Sequence, residues 1–166
     1  MTTVAIGLEV SASTDMAAIA VAGREGARWT ADLMWYGDPD GAVAECSRLY
    51  AALEDNCGVF ADPQPSAGVL DDLRAAGLWL HLLETVDVSA SAWTFTTEFR
   101  HHRVKLGGHP ALRAALRTAV PRPLALRFAF ERKRVTADMS PLNASAFALW
   151  GLRRNEANAD PQVYVI

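Results

Sequence analysis

Three extended apolar segments follow one another within the first 36 residues, joined by turns too short to hold a crossover. Residues 3–10 are a partly β-branched run that breaks at Ser11-Ala12-Ser13-Thr14-Asp15. Met16 to Ala22 is a second run, Gly23 to Ala27 a glycine-bearing turn, and Arg28 to Tyr36 a third segment rich in aromatics. Parallel neighbours need a connection of a dozen or more residues, so these three strands form an antiparallel meander.

The pattern then changes period. Val43, Cys46, Leu49, Tyr50 and Leu53 recur at helical spacing after Asp38-Pro39-Asp40-Gly41, which places a helix at about 40 to 55. Gly58 to Ala61 reads as a short buried strand ending at Asp62-Pro63. Ser66 is read as the cap of a helix carrying Val69, Leu70, Leu73 and Ala76 and ended by Gly77. Leu78 to Leu83 reads as another strand, Val88 to Arg100 as a helix, residues 110 to 119 as a further helix, and Leu124 to Phe130 as extended. Strand and helix in alternation argue for parallel strands with crossover helices, added to the meander in one mixed sheet. A last helix follows Ser140-Pro141 and is read as weakened or stopped at Gly151, with Leu142, Phe147, Leu149 and Trp150 on its apolar face. One domain over residues 1–154 and a polar tail over 155–166, whose Val163-Tyr164-Val165-Ile166 end has the apolar character to dock, complete the organisation.

Composition bounds the chemistry. A net charge of −3 removes the global attraction that a small, strongly basic nucleic-acid binder has, so any DNA contact needs a local patch. Two such runs exist: Arg100, His101, His102, Arg103 and Lys105, and Arg127, Arg132, Lys133 and Arg134. A solvated charged face is the equally open reading of both. Cys46 and Cys57 lack CxxC spacing and read as buried, reduced thiols. The adjacent His101 and His102 point about 100° apart on a helix and lack a third soft ligand for zinc. His81, in the run Leu78 to Leu83, reads as a hydrogen-bonded core histidine or as one facing a site. Trp79, Trp93 and Trp150 fall on apolar positions and read as core. No GxSxG elbow, dinucleotide fingerprint or GxxxxGK[ST] phosphate loop occurs. The start of the chain has no signal-peptide pattern and no apolar stretch reaches membrane-spanning length.

Glu9 is the anomaly. A carboxylate inside Ile6-Gly7-Leu8-Glu9-Val10 is costly to desolvate unless it is paired or meets a cation. Asp62 at the end of the fourth strand and Asp138 before the last helix occupy further positions where α/β scaffolds build sites. Convergence of the three on hard divalent cations would suit phosphodiester cleavage. The plain alternative is a solvated Glu9, an Asp-Pro turn at Asp62 and a helix-capping Asp138.

Two stretches decide between these readings: Val59-Phe60-Ala61-Asp62-Pro63 with Ser66-Ala67-Gly68, and residues 138–151 from Asp138-Met139-Ser140-Pro141-Leu142 to Ala148-Leu149-Trp150-Gly151. They resemble the C-terminal nuclease domain of phage terminase large subunits. Ala5 to Ser11 resembles that family's first catalytic strand and Ala17 to Gly23 its second, so the likeness spans about residues 4 to 154. The resemblance implies an α/β, ribonuclease H-like mixed central sheet flanked by helices. It also implies two-ion, Mg²⁺- or Mn²⁺-dependent cutting of concatemeric double-stranded DNA in the cytoplasm of an infected bacterial host. Glu9, Asp62 and Asp138 stand at the positions of that family's catalytic, metal-holding acids, with Asp15 a candidate extra ligand. Arg100, His102, Arg103, Lys105, Arg132, Lys133 and Arg134 would position the duplex. An ATPase motor, as domain or subunit, and the portal would be partners, with no membrane involved. One departure is Glu at position 9, where the family usually has Asp. Another ribonuclease H-like nuclease, such as a Holliday-junction resolvase, and a catalytically silent DNA-binding packaging module are the rival readings.

Overall fold

The computed structural model describes residues 3–13, 15–54 and 56–159. Strands β1 (Val4–Val10), β2 (Ala17–Glu25) and β3 (Arg28–Gly37) form the expected antiparallel meander. They are followed by α1 (Pro39–Ala52), β4 (Asn56–Ala61), α2 (Pro63–Ala75), β5 (Leu80–Leu82), α3 (Thr85–Arg100), β6 (Val104–Leu106) and α4 (Pro110–Thr118). A hairpin, β7 (Pro121–Leu124) and β8 (Arg127–Phe130), precedes the long helix α5 (Ser140–Ala159). The main sheet runs in the order β5-β4-β1-β2-β3-β6, with β4 parallel to β1, β5 to β4 and β6 to β3. The chain is therefore an α/β fold with a mixed six-stranded sheet between two helical layers, α1 and α2 on one face and α3, α4 and α5 on the other.

Three helix starts follow one local rule. Asp38, Asp62 and His109 each accept a hydrogen bond from a backbone N–H of the first turn, and each is followed by proline at the first helical position. The cap of α2 is therefore Asp62 and not Ser66. Ser66 is buried inside the helix, where its Oγ accepts from the Val10 amide at 3.1 Å and ties α2 to the end of β1.

Other expectations also shift. Residues 101–106, read only as a basic run, contain β6, and Leu124 to Phe130 is one arm and a turn of a hairpin. In both places the chain reverses through a non-glycine residue with positive φ, His102 at 57° and Ala125 at 51°. Glycine or asparagine usually marks such positions, so no turn signal was present. The last helix runs through Gly151 to Ala159, past residue 154, and Val163 to Ile166 lie outside the described residues. Gly151 serves packing, because a Cβ there would stand 2.4 Å from the Phe60 ring. Trp79 and Trp93 are 63% and 49% exposed, which corrects their reading as core, whereas Trp150 packs edge-on against Phe60. Cys46 and Cys57 are free and buried, as expected.

α5 lies across β1, β2, β3 and β4. The sheet face beneath it is built from small residues, with Ala5 opposite Ala22, Gly7 opposite Ala20, and Glu9 opposite Ala18. Ala22 and Ala18 are in turn opposite Ala31 and Tyr36. The closest approach is at Gly7, where an added Cβ would meet the Ala144 carbonyl oxygen at 1.9 Å and the Ala148 nitrogen at 2.7 Å. Gly7→Ala must push α5 off the sheet. Overpacking of this kind costs about 1–3 kcal/mol or more, so the variant is expected to lose at least that in denaturant unfolding. Stability equal to the parent would contradict this packing.

Candidate functional site

Glu9 lies on the α5 face of β1, one residue before its C-terminal end, and is 1% exposed. Its Oε1 accepts a hydrogen bond of 3.2 Å from Asn143 Nδ2 on α5, while its buried Oε2 has no hydrogen-bond partner. Burial pushes the carboxyl up to about 8, and the facing guanidinium of Arg132 only partly pulls it back.

Arg132 leaves β8 and turns inward between two acids. Its Nε stands 2.7 Å from Glu9 Oε1, although the N–H is not aimed for a hydrogen bond, and its Nη2 donates to Asp62 Oδ2 at 2.8 Å. Desolvation opposes the charge on Arg132, but attraction by Glu9 and Asp62 outweighs it and the guanidinium pKa is raised. Asp62 caps α2 with its other oxygen, Oδ1, which accepts from the Gln64 amide at 3.0 Å. Glu9 and Asp62, at the carboxyl ends of the adjacent parallel strands β1 and β4, thus share one cation.

Asp138 is half-buried and tied to the next part of the same sheet edge. Its Oδ2 accepts from Tyr36 Oη at 3.0 Å and from Ser140 Oγ at 2.8 Å, and its Oδ1 accepts from the Ser140 amide at 2.9 Å. Tyr36 reaches this position because β3 carries a bulge opposite Ile19 and Ala20. Ala20 pairs with Leu33 but Ala18 pairs with Tyr36, so one extra residue moves Tyr36 onto the α5 face and Trp35 onto the other. Burial, followed by the charge of Asp138, pushes the Tyr36 hydroxyl up to about 12, so it remains a donor at neutral pH. Asp138, Asp15, Tyr36 and Arg132 line one hollow of about 480 Å³, and Asp62 and Arg132 line a second of about 520 Å³. Asp15 accepts from Ser11 Oγ and Ser13 Oγ, which lowers its pKa.

Two of the three expected acids therefore meet on one positive charge, and the third lines a hollow that Arg132 also borders. Among the described residues no three His, Cys, Asp or Glu side chains are close enough to share a single metal ion. The oxygen donors of Glu9 and Asp62 nonetheless suit a hard cation. They already hold a guanidinium, and Oε2 of Glu9 is a buried acceptor without a hydrogen-bond partner.

The basic candidates divide. Arg132, expected on the DNA-facing surface, is the internal counter-ion of the acids. Arg103 pairs with Glu98 at 2.6 Å and Lys105 with Glu25 at 2.9 Å. Arg100, His102, Lys133 and Arg134 are exposed. His81 stacks on Phe60 with ring centroids 4.3 Å apart, its Nε2 lies 3.0 Å from the Cys57 carbonyl oxygen, and desolvation lowers its pKa, so it has the place of a hydrogen-bonded packing residue. Sequence reasoning missed Asn143, Tyr36, Ser140 and the inward course of Arg132. Only Asn143 left a signal, a polar residue among the apolar positions of the last helix.

No protein-family model and no curated protein matches the sequence. Solved structures do. The large terminase of bacteriophage HK97 aligns over 90% of this chain with a TM-score of 0.73 and 16% identity; the chain spans 39% of that protein. The large terminase nuclease of thermophilic phage G20c aligns over 89% of this chain and 81% of its own, with a TM-score of 0.68 and 13% identity. The same nuclease with bound magnesium gives 0.64 and 14% over 89% of this chain and 80% of its own. The chain has the fold of phage large terminase nuclease domains.

The buried acid also sets a pH response. With its carboxyl near 4.5 when unfolded and about 8 when folded, Glu9 holds a proton in the fold that the unfolded chain releases across that window. Its contribution to stability therefore falls as pH rises through the window. Without divalent ions, the melting temperature of Glu9→Gln relative to the parent is expected to move in favour of the variant from pH 4.5 to pH 8. A difference that stays constant would mean that Glu9 titrates like an exposed acid.

Proposed function

We propose that this chain is the nuclease of a phage genome-packaging terminase, a Mg²⁺- or Mn²⁺-dependent endonuclease that cuts concatemeric double-stranded DNA with two metal ions. The observation that carries the proposal is the buried Glu9 sharing a cation with Asp62 at adjacent strand ends, in a fold common to terminase nucleases. One of the neighbouring nucleases holds magnesium.

In this reading Glu9 and Asp62 hold a divalent ion, and Asp138, with Asp15 beside it, supplies further oxygens from the adjoining hollow. When bound, the ions activate water and neutralise charge at the scissile phosphate. Asn143 fixes the Glu9 carboxylate, and Tyr36 and Ser140 orient Asp138. Exposed Lys133 and Arg134, next in sequence to Arg132, give the duplex phosphates a positive surface that the net charge does not, whereas Arg100 and His102 lie beside β6, which pairs with the start of β3, at the far end of that strand from Glu9 and Tyr36. An ATPase motor and the portal are the proposed partners, and the host cytoplasm the place of action. No described helix is long and apolar enough to cross a membrane.

A second reading, a catalytically silent packaging module, draws support from the guanidinium that already occupies the acid pair and from the engagement of Asp138 with Tyr36 and Ser140.

Plasmid DNA incubated with Mn²⁺ separates the two. Cleavage is expected, with loss on chelation and a fall on the order of 10²-fold or more in Asp62→Asn, because a metal ligand tolerates little misplacement. Cleavage that persists after chelation would refute a metal-dependent nuclease, and Mn²⁺ binding without any cleavage would establish the silent module. A strong preference for four-way junctions over linear duplex would instead favour a resolvase. Glu9→Asp, which restores the shorter acid usual in terminases, is expected to keep or raise the cleavage rate. Its complete inactivation would show that the longer side chain is matched to this site.

A further inference from the structure

The Asp62 carboxylate has one oxygen on each of two tasks, Oδ1 on the Gln64 amide and Oδ2 on Arg132. Glu9 has Oε1 near both Asn143 and Arg132, and only Oε2 is free. Arg132 bridges from Glu9 to Asp62 Oδ2, so a divalent ion that joins the two carboxylates from that side meets Asp62 at the atom that the guanidinium holds. The two positive charges would stand within contact distance of one another in a buried setting, where screening is weak and repulsion strong. Arg132 comes from the irregular segment between β8 and α5, not from a strand or helix, and hollows of about 520 and 480 Å³ open on either side of it. Space for the side chain to leave exists.

We propose that Arg132 is a resident counter-cation of the Glu9–Asp62 pair, and that a divalent ion binds by displacing its guanidinium into the neighbouring hollows. This deepens the nuclease reading and rests on it. In the metal-free protein Arg132 stands between the two buried acids, within contact distance of both. In the loaded protein the same side chain is released beside Lys133 and Arg134, with its charge directed to solvent. Ion affinity is then set by a competition internal to the chain, and removing the competitor tightens it.

Two measurements test this. Free Mn²⁺, followed by its electron paramagnetic resonance, gives the affinity of the parent, Arg132→Gln and Asp62→Asn. Arg132→Gln is expected to bind about tenfold or more tightly than the parent, since the fraction of sites open to the ion rises, and Asp62→Asn to bind far more weakly. On the parent chain itself, phenylglyoxal modification of arginine, read by mass spectrometry with exposed Arg100 as internal reference, reports where Arg132 stands. Arg132 is expected to be protected without metal and to become reactive on adding Mn²⁺. This second arm holds even if Arg132→Gln does not fold. Parent and Arg132→Gln binding Mn²⁺ equally, or Arg132 staying protected at saturating Mn²⁺, would overturn the exchange and leave the nuclease reading standing. Absence of Mn²⁺ binding in every form would overturn both.

Discussion

The approach of α5 to β1 at Gly7 is the contact on which the architecture turns. No side chain separates the strand from the helix backbone there, and the alanines of β2 and β3 extend the same shallow bed on one side. Close seating is what lets Asn143 reach Glu9 and sets Asp138, just before the helix, against Tyr36. A larger residue anywhere along that bed would lift the helix and separate both contacts together, because packed interiors transmit displacement and do not absorb it.

The acids sit where backbone and charge favour them unequally. Asp62 and Asp138 accept from amides at the starts of α2 and α5, positions where a negative charge meets the positive end of a helix. Glu9 has no helix end and no backbone amide. It relies on one side-chain amide and one guanidinium, which is why burial dominates its behaviour. The length of the Glu9 side chain carries its carboxylate away from β1 to meet Arg132.

Much of this was legible in the sequence, and for identifiable reasons. The meander announced itself through three apolar runs and short turns, and the crossover units through their change of period. The start of α1 was legible in its Asp-Pro pair, whereas at α2 Ser66 offered a competing cap to Asp62, which is the one the fold uses. Asp62 and Asp138 drew attention by position, Glu9 by being an acid in an apolar strand, and the likeness to terminase nucleases joined the three. What stayed hidden depended on conformation at single residues. His102 and Ala125 reverse the chain without glycine, which concealed β6 and the hairpin. The bulge in β3 inverted which aromatic faces α5, and no sequence pattern encodes that choice between Trp35 and Tyr36. Arg132 lay in a basic run, where its neighbours do face solvent, and composition gives no reason for one member to turn inward.

The contacts that close the site join distant parts of the chain: Asn143 with Glu9 across 134 positions, Tyr36 with Asp138 across 102, and Arg132 with Asp62 across 70. Pairings of such separation carry a loop-closure cost, since the intervening chain must be ordered before they return any free energy. A partly folded chain in which β1 to β4 have assembled but α5 has not docked would hold Glu9 without Asn143 and without Arg132. The acid centre is thus a property of the finished fold only, and its integrity reports directly on whether the last helix has reached the sheet.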